Sequence, residues 1–302
     1  MKYSKVLVTG GSGTVGLNLS EHERISSSQY DLRNPERTIE CFKEIRPDAI
    51  IHCAAKVGGL KLHMEHKYEL FFDNITINTN VIDAAKRLGI KRVLSFLSSC
   101  IFSEQSVSPY TEEMIFDGQP FLVHRPYGHA KRALQTQSEI CYEEHGLIYN
   151  CVIPTNIYGY HDNYNFETGH VVGGLIHRAF LSAQHGGDFV VWGDGTQERD
   201  FIFTEDISKL TNWALENYED KEPIIFSNNQ SVAVGYLAEL IAKEFNIEER
   251  LAFDVSKPSG QKIRHLSGNK VARLANFNFT PIEEGIKKSV SWFISNYPNL
   301  RL

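Results

Sequence analysis

The stretch Lys5-Val-Leu-Val-Thr9, followed at once by Gly10-Gly11-Ser12-Gly13-Thr14-Val15-Gly16, limits the fold more than any other feature of the chain. A short apolar run stopped by glycine reads as a buried parallel strand. Glycines at this spacing let backbone approach a phosphate closely. The helix expected over 17–23 turns its positive N-terminal end toward that charge. Strand, glycine turn and helix together suit a dinucleotide pyrophosphate held by residues 10–16.

The alternation continues. A helix is expected over 34–45 with Pro35 in its first turn, a strand over 48–55, a loop over 56–59, a helix over 68–88, a strand over 92–97, a helix over 127–145 and a strand over 149–153. This implies an α/β fold, a doubly wound parallel sheet of the Rossmann type with right-handed crossovers. After Pro154-Thr-Asn-Ile157 the periodicity is lost until a helix starting at 170, a strand and turn over 190–195, helices over 234–245 and 281–296, and a turn at 257–260 between them. We expect a nucleotide-binding domain over 1–160 with a returning segment near 201–230, and a smaller, discontinuous α/β substrate-binding domain over 161–302.

The second strand falls within 22–30, where an acidic residue would bind the ribose 2′-hydroxyl of NAD. Arg24-Ile-Ser26-Ser27-Ser28 stands there instead. A cation and hydroxyls suit a 2′-phosphate, so NADP(H) is the expected cofactor. Asp31 and Leu32 would border its adenine, and Phe96, Leu97 and Ser99 would face it at the end of the next strand but one.

Ser98-Ser99-Cys100 ends a strand, and Tyr127-Gly-His-Ala-Lys131 opens a helix. A Tyr and a Lys four apart share a helix face. The ammonium is expected to lower the pKa of Tyr127 and make it a usable proton donor. Ser98 would hydrogen-bond a substrate carbonyl, and Cys100 would place a thiol beside it. This set fits hydride transfer to or from a carbonyl.

Composition narrows the partners. The net charge of -6 gives no pull toward nucleic acid or anionic membrane, and no apolar run approaches a membrane span. The five cysteines contain no C-x-x-C pair, which argues against a metal site and a disulfide framework and for the cytoplasm.

With these residues in view, the chain resembles the extended short-chain dehydrogenase/reductases, and more narrowly the GDP-L-fucose synthase family. The resemblance rests on residues 9–16, Ala54-Ala-Lys-Val-Gly-Gly59, Ser98-Ser-Cys-Ile-Phe102, Tyr127-Gly-His-Ala-Lys131 and Ile153-Pro-Thr-Asn-Ile-Tyr-Gly159. It continues through His161-Asp-Asn-Tyr-Asn165, Gly169-His-Val171, Val191-Trp-Gly193 and Arg199-Asp-Phe201. It implies 3,5-epimerisation and then NADPH-dependent 4-reduction of GDP-4-keto-6-deoxy-D-mannose. It further implies Tyr127 as proton donor at C4, Lys131 as its partner and a ribose ligand, and Ser98 on the carbonyl. Cys100 and His170 would be base and acid at C3 and C5, His170 also bordering the cofactor. Pro154, Thr155, Asn156 and Ile157 would line the nicotinamide; Arg178, Trp192, Arg199 and Ser259 would hold the nucleotide sugar. A homodimer is expected, with helices 70–88 and 127–137 onward paired as a four-helix bundle.

Ser103 stands where the family has Pro, and Ser259 where an acidic residue is expected. Ser99-Cys100 occupies the place of the Asp-Glu of a 4,6-dehydratase. The alternatives are a 4-keto reductase without epimerisation and a non-catalytic NADP-binding regulator.

Overall fold

Leu7, Ile50, Val93 and Cys151 face one side of a sheet, and Val8, Ile51, Leu94 and Val152 face the other; all are fully buried. Side chains of a strand alternate between faces, so short unbroken apolar runs require cover on both sides. In the computed structural model, which describes residues 2–166, 168–257 and 262–302, helices supply that cover. Ser259 and most of the turn expected at 257–260 lie outside the described residues.

The strands are β1 (Val6–Thr9), β2 (Glu23–Ile25), β3 (Ala49–His52), β4 (Arg92–Phe96), β5 (Ile148–Pro154), β6 (Asn156–Tyr158), β7 (Phe189–Trp192), β8 (Glu198–Phe203), β9 (Ile224–Phe226), β10 (Ser231–Ala233), β11 (Leu251–Asp254) and β12 (Ile263–Arg264). The helices are α1 (Thr14–Leu17), α2 (Pro35–Ile45), α3 (Leu60–Glu65), α4 (Lys67–Arg87), α5 (Arg125–His145), α6 (Val171–His185), α7 (Thr204–Asn217), α8 (Val234–Phe245), α9 (Asn269–Ala275) and α10 (Ile282–Asn296).

The main sheet has the order β2-β1-β3-β4-β5-β9, parallel throughout. Helices α2, α4 and α5 contribute to the core on one face, and α7 and α9 to that on the other. Arg92 ties the second face down. It is 1% exposed and donates to the carbonyls of Ala214, Leu215 and Tyr218 and to Asn150 Oδ1. A third core joins α6, α8 and α10 around Tyr164, Phe189 and Phe293. Nearby, β8 pairs with β10, β12 and β6, and β7 with β11.

Several expected elements differ. The helix expected over 17–23 is instead the single turn α1, because the chain must reach β2 beside β1 by Glu23. The strand expected to reach Ala55 stops at His52, where the Ala54 N–H turns to the Thr9 hydroxyl. Helix α3 forms directly after Gly59, where no periodicity announced it, and α7 fills a stretch left without an element.

Candidate active site

A cavity of about 1780 Å³ runs past the C-terminal ends of β1, β3, β4 and β5, where ligands bind in open α/β sheets. The glycine turn forms one end. Gly10 has φ +73, and a Cβ there would lie 2.7 Å from the Ala54 nitrogen. A Cβ on Gly16 would lie 2.4 Å from the Gly10 carbonyl oxygen, so α1 can pack on the turn only without one. Gly10, Ser12, Gly13, Thr14, Val15 and Gly16 line the cavity. Gly11 does not: it faces β2, its N–H bonded to the Ile25 carbonyl at 2.7 Å. A Cβ on it would meet Arg24.

Ser26, Ser27, Asp31, Leu32 and Arg33 line the cavity beyond β2. Arg24, the cation expected there, is turned away and donates to the Leu17 carbonyl at 3.3 Å. Arg33 takes its place, bidentate to Asp31 with both contacts at 2.9 Å. Phe96, Leu97 and Ser99, and Pro154 through Ile157, complete this end of the wall.

Ser98, Cys100, Tyr127, Lys131 and His170 converge on the middle of the cavity. Ser98 caps the 3-10 turn over Ser99–Ile101, its Oγ accepting from the Cys100 N–H at 3.3 Å. The hydroxyl proton remains available to a carbonyl. Arg132 holds the loop beyond Cys100 that carries Ser103. That guanidinium, 8% exposed, donates to the carbonyls of Ile101, Asp117 and Gly118.

The electrostatics differ from the sequence-based expectation at Tyr127. Burial, joined by the charge of Cys100, pushes its pKa up rather than down. The Lys131 ammonium lies 5.8 Å from the Tyr127 ring centroid and donates to the Phe96 carbonyl at 2.7 Å. Burial drops Lys131 itself to about 8. Tyr127 therefore holds its proton firmly.

His170 starts α6 and sits 3.3 Å from Asp162, which is 1% exposed. Desolvation works against the His170 cation, but the hydrogen bond and charge of Asp162 outweigh it and raise the pKa. The Asp162 loop closes tightly, since a Cβ on Gly169 would lie 2.2 Å from the Asn163 carbonyl oxygen.

Arg178, Trp192 and Arg199 line the far end. Trp192 is 53% exposed, with the Arg178 guanidinium 5.8 Å from its ring centroid. Burial first, then the charge of Arg264, lowers Arg199 to about 10. Arg264, His63, His124 and Arg301 also line the cavity and were not anticipated. Arg264 is placed by register opposite Arg199 on β8, which its two-residue strand could not announce.

Residues 6–228 match the model of the NAD dependent epimerase/dehydratase family. The chain belongs to this family. Within it, the chain is 38% identical to the GDP-L-fucose synthase of Dictyostelium discoideum, over 98% of this chain and 97% of the relative. It is 37% identical to the probable GDP-L-fucose synthase of Drosophila melanogaster, over 98% and 99%. The crystal structure of a GDP-L-fucose synthetase from Naegleria fowleri bound to NADP superposes with a TM-score of 0.92 at 34% identity, covering 100% of this chain and 96% of that one.

Proposed function

We propose that this family member converts GDP-4-keto-6-deoxy-D-mannose to GDP-L-fucose by 3,5-epimerisation and then NADPH-dependent 4-reduction. The observation that carries the reading is the convergence of Ser98, Cys100, Tyr127, Lys131 and His170 on one cavity that also holds the glycine turn and Trp192. NADPH when bound supplies the hydride. The glycine turn, Ser26, Ser27 and Arg33 offer backbone, hydroxyls and a cation to its phosphates, and residues 1–160 serve as the nucleotide-binding domain.

The protein's own groups divide the chemistry. A C4 ketone acidifies the protons at C3 and C5. Cys100 removes one, and protonated His170 returns one from the other face. Ser98 donates to the C4 oxygen as charge develops there. Tyr127 then gives that oxygen its proton. Trp192 offers a flat face to guanine, and Arg178 and Arg199 offer cations to the diphosphate.

Exposed Tyr68, Phe71 and Phe72 on α4 and Ile140 on α5 support a homodimer formed through these helices. Light scattering at micromolar concentration checks it, with a monomer mass as the contrary result. Five free cysteines fit a cytoplasmic setting. Among the described residues no helix is long and apolar enough to cross a membrane.

The test is incubation with NADPH and GDP-4-keto-6-deoxy-mannose in deuterium oxide. NADPH absorbance should fall and the product should carry deuterium at C3 and C5. Oxidation without deuterium would make the chain a plain 4-keto reductase, and no oxidation would overturn the reading.

A further inference from the structure

Helix α1 runs only from Thr14 to Leu17, a single turn. A helix macrodipole is the sum of its aligned peptides, so one turn brings little positive charge to the glycine loop. Residues 10–16 carry no Lys or Arg either. The pyrophosphate that this loop suits brings two negative charges, and they need a counter-ion from elsewhere in the chain. Most cavity cations are engaged or distant. Lys56 pairs with Asp73 at 3.1 Å, and Arg33 with Asp31 at 2.9 Å. Lys131 is buried and donates to the Phe96 carbonyl. Arg178 and Arg199 stand at the far end with Trp192, and Arg264 is in register with Arg199.

Arg301 is the cation that reaches the glycine loop. It lines the cavity, and its Nη1 donates to the Thr14 hydroxyl at 3.3 Å. Among the described residues it forms no ion pair. The backbone around it is fixed. The Arg301 carbonyl accepts the N–H of Tyr164 at 2.9 Å, and Tyr164 is fully buried. Leu300 packs against the core of α6, α8 and α10. The segment that holds Arg301 also holds α1: Asn18 Nδ2 donates to the Thr14 carbonyl at 2.8 Å and to the Tyr160 carbonyl at 2.9 Å. Residues 160–164 therefore anchor both Thr14 and Arg301. After desolvation, the charge of Arg301 is what opposes the His170 cation, so the guanidinium also lies within electrostatic reach of the middle of the cavity. One hydrogen bond from an exposed guanidinium is a weak hold. An anion in the glycine loop would give Arg301 its main partner.

We propose that Arg301 is a ligand of the cofactor pyrophosphate and supplies the charge that α1 is too short to give. The assignment rests on the NADPH reading above. A guanidinium offers phosphate oxygens two parallel N–H donors together with its charge. The role differs from that of Arg33. The pyrophosphate is common to NADPH and NADH, whereas the 2′-phosphate belongs to NADPH alone. Arg301 therefore sets how tightly either cofactor is held, and not which one is chosen. It also ties the segment after α10 to the bound nucleotide.

Titration calorimetry with no sugar nucleotide present tests it. Arg301→Gln removes the charge and keeps much of the side chain. It should weaken NADPH and NADH alike, each about 10- to 100-fold. Arg301→Lys should recover most of that loss. The Kd of Arg301→Gln for NADPH should also rise less steeply with sodium chloride than that of the wild type. Without ligand, both variants should melt where the wild type does, because Tyr164 bonds the Arg301 backbone carbonyl and not its side chain. NADPH should then raise the melting temperature of Arg301→Gln less than that of the wild type. Wild-type affinity of Arg301→Gln for both cofactors overturns the assignment. A loss confined to NADPH overturns it too and moves Arg301 to the 2′-phosphate. Equal losses in Arg301→Gln and Arg301→Lys overturn it by putting shape in the place of charge. A wild type that binds neither cofactor is the failure of the NADPH reading itself, and Arg301 then has no pyrophosphate to hold.

Discussion

The Ser98 hydroxyl oxygen accepts the backbone N–H of Cys100 at 3.3 Å, so one side chain both lines the cavity and aims the thiol-bearing turn. Ser98→Ala should therefore slow both half-reactions. Losing the cap costs about 1 kcal/mol of local order. Losing a donor to the developing oxyanion costs about 10²–10³ in rate. Ser98→Thr should retain most of both. Deuterium uptake at C3 and C5 and NADPH oxidation, measured side by side, check it; loss of one alone would separate the two roles.

Cys100 and Tyr127 should separate cleanly. Cys100→Ser replaces a thiol by a hydroxyl that ionises far less readily, so solvent deuterium should stop entering C3 and C5 while NADPH still binds. Tyr127→Phe should leave that exchange running and cut NADPH oxidation by about 10²–10⁴-fold. Wild-type exchange in Cys100→Ser would make Cys100 a packing residue.

His170 and Asp162 set a pH dependence. With His170 as the proposed acid, exchange should fall as pH rises through its pKa, which Asp162 holds above the ordinary histidine value. Asp162→Asn removes the charge, and the fall should move to lower pH. The sign for stability follows too: the pair stabilises the fold below the ordinary histidine pKa and loses that contribution as pH rises through the raised one. A pH profile of deuterium exchange in both proteins decides it.

The parts legible in the sequence were those with strong local rules. The glycine turn announced itself because strand, Gly10, Gly13 and Gly16 lie within a dozen residues, and Ser98 to Cys100 stood at a strand end. Asn34 and Pro35 marked the start of α2, and Asn34 does accept the Arg37 N–H at 2.9 Å. Parts set by tertiary placement were not legible. Burial overrode the expected Lys131 effect on Tyr127. Arg33 lines the cavity where Arg24 was expected, because β2 is only three residues long and the chain then turns back to the cavity. His63 and His124 lie far apart in sequence, and only the packing of α3 against the start of α5 puts them together.

Arg132 should matter beyond its charge. Its guanidinium holds three loop carbonyls next to Cys100. Arg132→Met orphans them, at about 1–3 kcal/mol for each left buried without a partner. Thermal unfolding should shift down by several degrees, and exchange at C3 and C5 should fall more than NADPH binding. An unchanged melting temperature would show that the loop holds itself.

Cofactor choice should reside in Arg33. NADPH differs from NADH by a 2′-phosphate, and Ser26, Ser27 and Arg33 line the cavity at the end of β2. A charge-assisted bond to that phosphate is worth about 1.5–3 kcal/mol, or roughly 10- to 100-fold in affinity. Arg33→Ala should reduce the NADPH-to-NADH ratio of kcat/KM by that factor, chiefly through KM for NADPH. Because the Arg33–Asp31 pair is half exposed, with side chains 51% and 46% accessible, its loss should cost little stability. A reduced ratio with an unchanged melting temperature would assign the phosphate to Arg33. An unchanged ratio would leave it to Ser26 and Ser27, and comparable kcat/KM for the two cofactors in the wild type would overturn the NADPH preference itself.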